Sequence, residues 1–179
     1  MGIKLLYLLL FLPAFIGLVC VIAATRPSRF RVQRSITVNA EPSEVYRLIV
    51  DLHSWPKWAP QDREDNTMRR VYDGPDAGIG AKSAWQSSGS AGAGSMEIQN
   101  AIPPSQVIVR VDWTKPFKTT NINTFDLRSD GSRTQVTWTM EGPNLFPMRL
   151  MSVFVNMDKM MGKHFETGLA QLKSAAEAH

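Results

Sequence analysis

The spacing of apolar positions differs along the chain, and each spacing predicts a different kind of element. Residues 5–24 carry no charged side chain, and about 20 such residues would span roughly 30 Å as a helix, the thickness of a bilayer core. This run predicts either a transmembrane anchor or a cleaved signal segment within residues 1–25. Its length exceeds the usual apolar core of a signal peptide, which favours the anchor.

After this run, apolar and polar positions alternate, as in half-buried strands. Residues 30–38, FRVQRSITV, show the pattern most clearly. Turn-forming clusters rich in glycine and proline separate six further candidate strands, which are expected at 67–73, 81–88, 95–101, 107–113, 119–127 and 133–141.

Two segments show helical spacing instead. In EPSEVYRLIVDL, the residues Val45, Leu48, Ile49 and Leu52 form one apolar face, and Pro56 is expected to end this helix near His53. From Leu150 to Leu172 an apolar stripe predicts one helix of about seven turns.

The order strand, helix, about six antiparallel strands and long helix predicts an α+β fold for residues 26–179. An antiparallel sheet and helices on one of its faces need each other to form a core. A sheet that curves around a long C-terminal helix can leave a cavity between them. The whole chain is therefore expected to be an N-terminal transmembrane helix followed by this domain.

The distribution of charge along the chain indicates which partners to expect. The net charge is +4, but Arg26, Arg29, Arg31 and Arg34 follow the apolar run, and residues 39–179 hold 15 basic against 16 acidic side chains. The basicity thus indicates anionic lipid headgroups and a domain on the cytoplasmic side. A nucleic-acid partner is not expected. The predicted localisation is a single-pass protein of a bacterial inner membrane.

Candidate chemistry is sparse. The one cysteine, Cys20, lies in the apolar run, and no metal-binding or nucleophile motif occurs, so no metal, cofactor or catalytic residue is predicted. Asp51 and His53 are two residues apart at a helix end, where their side chains are expected to point in different directions. We interpret them as helix termination rather than as an acid–base pair.

The aromatic and methionine residues give the strongest indication of function. Five tryptophans, together with five methionines between Met148 and Met161, suit an adaptable apolar cavity, although a solid core would use the same residue types. The expected ligand-binding residues are Trp58, Trp85, Trp138, Met140, Met157, Met161 and Phe165.

Four stretches carry a resemblance to a known superfamily: RSITVNAEPSEVYRLIVDLHSWPKWAP, GIGAKSAWQSSGSAGAGSMEI, RTQVTWTMEG and MMGKHFETGLAQLKSAAE. Over about residues 30–177 the chain resembles the START-like, helix-grip (SRPBCC) superfamily, in its polyketide cyclase/dehydrase and lipid-transport group. The resemblance implies a curved antiparallel sheet that grips a C-terminal helix around an apolar pocket. It does not imply one activity, because members of this fold differ in function.

Three functions follow as hypotheses. The first is a membrane-tethered, non-catalytic domain that binds a hydrophobic small molecule or lipid. The second is a cyclase or dehydratase, which would need a proton donor and acceptor facing the cavity, with His53, His164 and Glu141 as candidates. The third is a protein-interaction or chaperone-co-factor module, which would present an exposed apolar patch.

Overall fold

The computed structural model describes residues 2–60, 65–89 and 91–178, with the side chains of residues 2–10 and 157 outside the description. Seven strands are present in this part of the chain: β1 (Arg29–Val38), β2 (Arg69–Asp73), β3 (Lys82–Gln86), β4 (Ala93–Ile102), β5 (Gln106–Lys115), β6 (Thr119–Asp130) and β7 (Arg133–Pro143). The helices are α1 (Gly2–Thr25), α2 (Pro42–Val50), a 3₁₀-helix (Leu52–Lys57), α3 (Phe146–Met151) and α4 (Met157–Ala176).

All seven strands form one curved antiparallel sheet in the order β1-β7-β6-β5-β4-β3-β2. Strands β2 to β7 follow one another as a meander, and β1 adds to the outer side of β7, with Val32 opposite Met140 and Ile36 opposite Val136. The predicted strand series and the sheet gripping a C-terminal helix are therefore confirmed.

The core lies between one face of this sheet and the helices α2 and α4. The apolar face predicted for α2 is confirmed, since Val45 and Ile49 are fully buried. Phe125 of β6 meets this helix layer from the sheet, and Leu169 and Leu172 of α4 complete the packing. Burial of such side chains is the main stabilising contribution to a domain of this size.

The expectation of a transmembrane helix, and with it a single-pass membrane localisation, is wrong. Within the described residues, none of the helices combines the length and the apolar character needed to cross a membrane. The helix expected to cross the membrane corresponds to α1. Val19 and Ala23 of this helix are buried, and α1 packs against α3.

The single helix expected from Leu150 to Leu172 is also wrong, because residues 152–156 separate α3 from α4. Asn156 begins the second helix, and its side-chain oxygen accepts a hydrogen bond from the backbone N–H of Lys159 at 2.9 Å. This satisfies a backbone donor that a helix start otherwise leaves unpaired. The apolar spacing continues across the break, but Phe154 is 66% exposed rather than buried.

Candidate functional site

A cavity of about 420 Å³ lies between the sheet and α4. Met160 of α4 lines it and is half exposed, so the cavity reaches the surface beside the first turn of that helix. Most of the lining is aromatic or aliphatic, as in ligand-binding pockets. The lining residues are Trp55, Trp85, Ala91, Met96, Val111, Trp113, Asn123, Trp138, Met140, Met160, Met161, His164 and Phe165.

Five of the seven expected ligand-binding residues line this cavity: Trp85, Trp138, Met140, Met161 and Phe165. Trp58 does not line it. Its side chain is fully buried and packs edge-on against Phe125 and Trp138, each at 6.0 Å between ring centroids. The side chain of Met157 lies outside the described residues.

Two aromatic pairs shape the wall. Trp138 of β7 stacks on Phe165 of α4, with 4.2 Å between centroids and 4° between ring planes. On the other side, Trp85 of β3 meets Trp113 of β5 edge-to-face at 5.1 Å. Gly94 of β4 permits this position, because a Cβ there would lie 2.8 Å from the Trp85 ring. The pairs present flat apolar surfaces to whatever occupies the cavity.

The indole N–H groups of this wall are satisfied within the protein. Trp85 donates to the backbone oxygen of Ala91 at 3.0 Å, and Trp55 donates to that of Ile49 at 2.9 Å. Trp138 donates to Asn123 Oδ1 at 2.8 Å. Because their N–H groups are paired within the protein, these rings act on the cavity wall as apolar groups.

Two buried asparagines of β6 support the wall, and neither was predicted from the sequence. Asn123 holds Trp138, and Asn121 accepts from Trp113 Nε1 at 3.2 Å in the amide orientation that satisfies both of its polar atoms. Both are about 5% exposed. The sequence pattern could have indicated them, because Asn121 and Asn123 lie four and two residues before Phe125 on the strand, so all three side chains point to the same, inward face.

A buried carboxylate anchors a loop at the cavity. Asp65 accepts hydrogen bonds from the hydroxyls of Ser87 and Thr67 and from the backbone N–H of Ala91. The Ser87 hydroxyl, followed by the Thr67 hydroxyl and the Ala91 N–H, holds the pKa of Asp65 well below its usual range. Because Ala91 lines the cavity, Asp65 positions part of its wall.

Asp51 and His53 lie on a separate, more open groove of about 850 Å³ next to α2. The expectation that their side chains diverge is wrong, since His53 Nδ1 is 3.3 Å from Asp51 Oδ1. The interpretation as helix termination is confirmed for Asp51 alone, because α2 ends at Val50 while His53 and Pro56 lie inside the 3₁₀-helix. Asp51 follows α2 and caps the 3₁₀-helix, accepting from the His53 N–H and the Ser54 hydroxyl at 2.8 Å, while the His53 ring stacks on Tyr72 at 4.0 Å. Burial raises the pKa of Asp51, but these two hydrogen bonds outweigh it and hold the pKa below its ordinary value.

The three candidates for acid–base catalysis are not brought together. His164 lines the cavity, and His53 lines the separate groove. Glu141 lies on the outer surface, where it pairs with Arg31 at 3.0 Å. Among the described residues there is also no group of three histidine, cysteine or carboxylate side chains placed to hold a metal ion.

Comparisons with known proteins agree with this architecture. Residues 29–177 match the model of the family described as polyketide cyclase / dehydrase and lipid transport. No curated protein matches the chain.

Several solved structures share the fold. One is a protein of Chromobacterium violaceum, at 18% identity and a TM-score of 0.59, covering 85% of this chain and 99% of that one. Another is the Aha1 dimer of Colwellia psychrerythraea, at 18% identity and a TM-score of 0.55, covering 83% and 96%. A third is DynU16, a protein of the dynemicin biosynthetic locus, at 13% identity and a TM-score of 0.58, covering 82% and 47%. At these identities the likeness concerns the fold alone.

Proposed function

The chain belongs to the polyketide cyclase/dehydrase and lipid-transport family, and we propose that its cavity binds a hydrophobic small molecule or lipid without converting it chemically. One observation carries the proposal: the cavity of about 420 Å³ has a wall of tryptophan, phenylalanine and methionine side chains. Its volume lies in the range of small-molecule sites, about 300–1,000 Å³. Methionine adapts to ligands of different shape because it is unbranched and flexible.

The chemistry of the wall supports binding rather than catalysis. General acid–base catalysis needs a donor and an acceptor within reach of the same substrate. Of the lining residues, His164 alone carries a side chain that commonly exchanges protons near neutral pH. The carboxylate Glu141 pairs with Arg31 at the surface instead.

A cyclase or dehydratase activity is the second candidate, and the position of His164 favours it. A histidine on the cavity wall can donate or accept a proton if the substrate supplies the other group. This alternative predicts that a supplied polyketone is converted while bound: dehydration lowers its mass by one water, whereas cyclisation alone keeps its mass and changes its chromatographic retention.

Exposed apolar side chains keep the protein-interaction hypothesis as a third candidate. Phe146 and Met151 of α3 and Phe154 after it are each more than 40% exposed. Exposed large apolar side chains of this kind are common at interaction sites. The experiment below separates it from ligand binding, since it predicts no small molecule in the cavity.

The proposal is tested with N-phenyl-1-naphthylamine, a neutral apolar fluorophore, together with solvent extraction and mass spectrometry of the purified protein. We expect saturable probe binding and a co-purified apolar molecule that displaces the probe. Met161→Glu places a carboxylate on the cavity wall and is expected to weaken probe binding at least about tenfold. Met151→Glu, on an exposed methionine that does not line the cavity, is the matched control.

Two results would contradict the proposal. One is a folded wild-type protein that neither binds the probe nor yields an apolar molecule. The other is an equal loss of probe binding in both glutamate variants, because the probe would then bind outside the cavity.

A further inference from the structure

Asn123 is the polar residue of the sheet that lines the apolar cavity, and it is only 5% exposed. Its orientation is fixed by its neighbour on β7. The indole N–H of Trp138 can only donate, so the oxygen of the Asn123 amide must face it, and the two atoms are 2.8 Å apart. The amide nitrogen, Nδ2, therefore lies on the opposite side of the group.

Nδ2 of Asn123 has no hydrogen-bond partner among the described residues, whereas Oδ1 is paired. Nδ2 is not one of the fully enclosed side-chain atoms that lack a partner among the described residues, so it is accessible from the cavity that Asn123 lines. A donor that is held in one orientation, inside an apolar cavity and without a protein acceptor, is suited to a ligand acceptor.

Asn121 shows that this is not a general feature of the strand. It lies two residues earlier on the same face of β6 and is buried to the same degree. Its oxygen accepts from Trp113 Nε1, and its nitrogen donates to the backbone oxygen of Thr120 at 3.1 Å. Both ends of Asn121 are thus used within the protein, and it does not line the cavity.

We propose that Asn123 is a specificity-determining residue, which selects ligands carrying an oxygen acceptor, such as a ketone or quinone oxygen, on a flat apolar frame. The acceptor receives a hydrogen bond from Nδ2. The stacked pair of Trp138 and Phe165 and the edge-to-face pair of Trp85 and Trp113 provide planar surfaces for the frame. A pure hydrocarbon leaves Nδ2 unpaired and binds less tightly. This inference rests on the proposed function, because it concerns the same cavity.

The test uses two probes with the same tricyclic frame, 9-fluorenone and fluorene, which differ in a carbonyl against a methylene group. Their dissociation constants are measured by displacement of N-phenyl-1-naphthylamine. For each variant, the dissociation constant of fluorene is divided by that of fluorenone, and this ratio is compared with the wild-type ratio. The comparison cancels the difference in hydration between the two free probes. Asn123→Leu is expected to lower the preference for fluorenone by about 3- to 10-fold. Thr134→Val, which removes a buried hydroxyl of β7 that does not line the cavity, is the control and is expected to keep the wild-type ratio.

A second variant covers the case in which Asn123→Leu does not fold. That substitution leaves the Trp138 N–H without its acceptor, whereas Asn123→Leu combined with Trp138→Phe removes both partners and is tolerated better. The same loss of preference is expected in the double variant.

The outcomes separate the two proposals. If wild type binds both probes and the ratio is unchanged in the folded Asn123 variants, the role of Asn123 is refuted and the cavity remains a ligand site. An equal loss of preference in Thr134→Val would also refute it, because the effect would then come from a general disturbance of the buried polar residues. If wild type binds N-phenyl-1-naphthylamine but neither tricyclic probe, the role of Asn123 is refuted and the proposed function stands. If wild type does not bind N-phenyl-1-naphthylamine and yields no apolar molecule, the proposed function is wrong, and the role of Asn123 with it.

Discussion

Trp58 is the residue at which packing and ligand binding can be separated most clearly. It is fully buried among Trp55, Phe125 and Trp138, and its indole N–H donates to the backbone oxygen of Leu48 at 3.0 Å. It nevertheless does not line the cavity. We predict that Trp58→Phe lowers stability and leaves ligand binding unchanged.

The size of the loss follows from these contacts. The substitution removes one hydrogen bond, worth about 1 kcal/mol, and two buried carbon atoms at ~0.8 kcal/mol each. The sum is about 3 kcal/mol. For a chain of this size that corresponds to a fall in Tm of about 6–12 °C, which thermal unfolding followed by circular dichroism measures directly.

Trp85→Phe is the matched control, because Trp85 also loses an indole hydrogen bond but lines the cavity. In this variant the Kd for N-phenyl-1-naphthylamine is expected to rise by several-fold, while Trp58→Phe keeps it within about twofold. The reasoning is refuted if Trp58→Phe weakens probe binding as much as Trp85→Phe does. It is equally refuted if the Tm of Trp58→Phe equals that of wild type.

Three further predictions concern the elements around the cavity. The hydrogen-bonded Asp65 carboxylate has a lowered pKa, so it stabilises the folded protein fully at neutral pH, and this contribution is lost progressively below about pH 4. The difference in Tm between wild type and Asp65→Asn should therefore shrink between about pH 7 and about pH 3. A difference that stays constant contradicts this. Asn156→Ala removes the cap of α4 and should cost about 1 kcal/mol by chemical denaturation, whereas Asn156→Ser should restore most of it. Gly168→Ala places a Cβ 2.9 Å from the Trp138 ring and should cost about 1–3 kcal/mol, unlike Gly17→Ala, which meets nothing within 4 Å.

Most of the fold could be predicted because alternation depends on local sequence. A half-buried strand places every second side chain in the core, so the run from β2 to β7 was visible without knowing how the strands pair. The face of α2 was visible for the same reason, since Val45 and Ile49 are one turn apart.

The break between α3 and α4 was not predicted, because apolar spacing alone does not reveal a helix cap. Val153 and Phe154 keep the stripe in phase although they lie in a turn. The cap at Asn156 is one hydrogen bond, and asparagine is common both at caps and in loops. The transmembrane expectation depended on the uncharged run of residues 5–24, and composition alone does not show that Val19 and Ala23 of this run are buried.

The cavity wall was predicted by residue type but not by position in space. Trp55 and Trp58 are three residues apart and equally apolar, yet one lines the cavity and the other packs behind it. Asn123 was missed because its role depends on Trp138 of the neighbouring strand. Such a contact between strands cannot be read from a single segment of sequence.

The central claim, that the cavity is the ligand site, is tested most directly by the tryptophan indole N–H signals in a ¹H–¹⁵N NMR titration with N-phenyl-1-naphthylamine. The five tryptophans serve as reporters, assigned through single Trp→Phe variants. The account predicts that Trp85 and Trp138 shift in a saturable way, while Trp58 shifts little. The account is contradicted if probe binding saturates while the Trp85 and Trp138 signals stay in place and only residues of the groove around Asp51 and His53 shift.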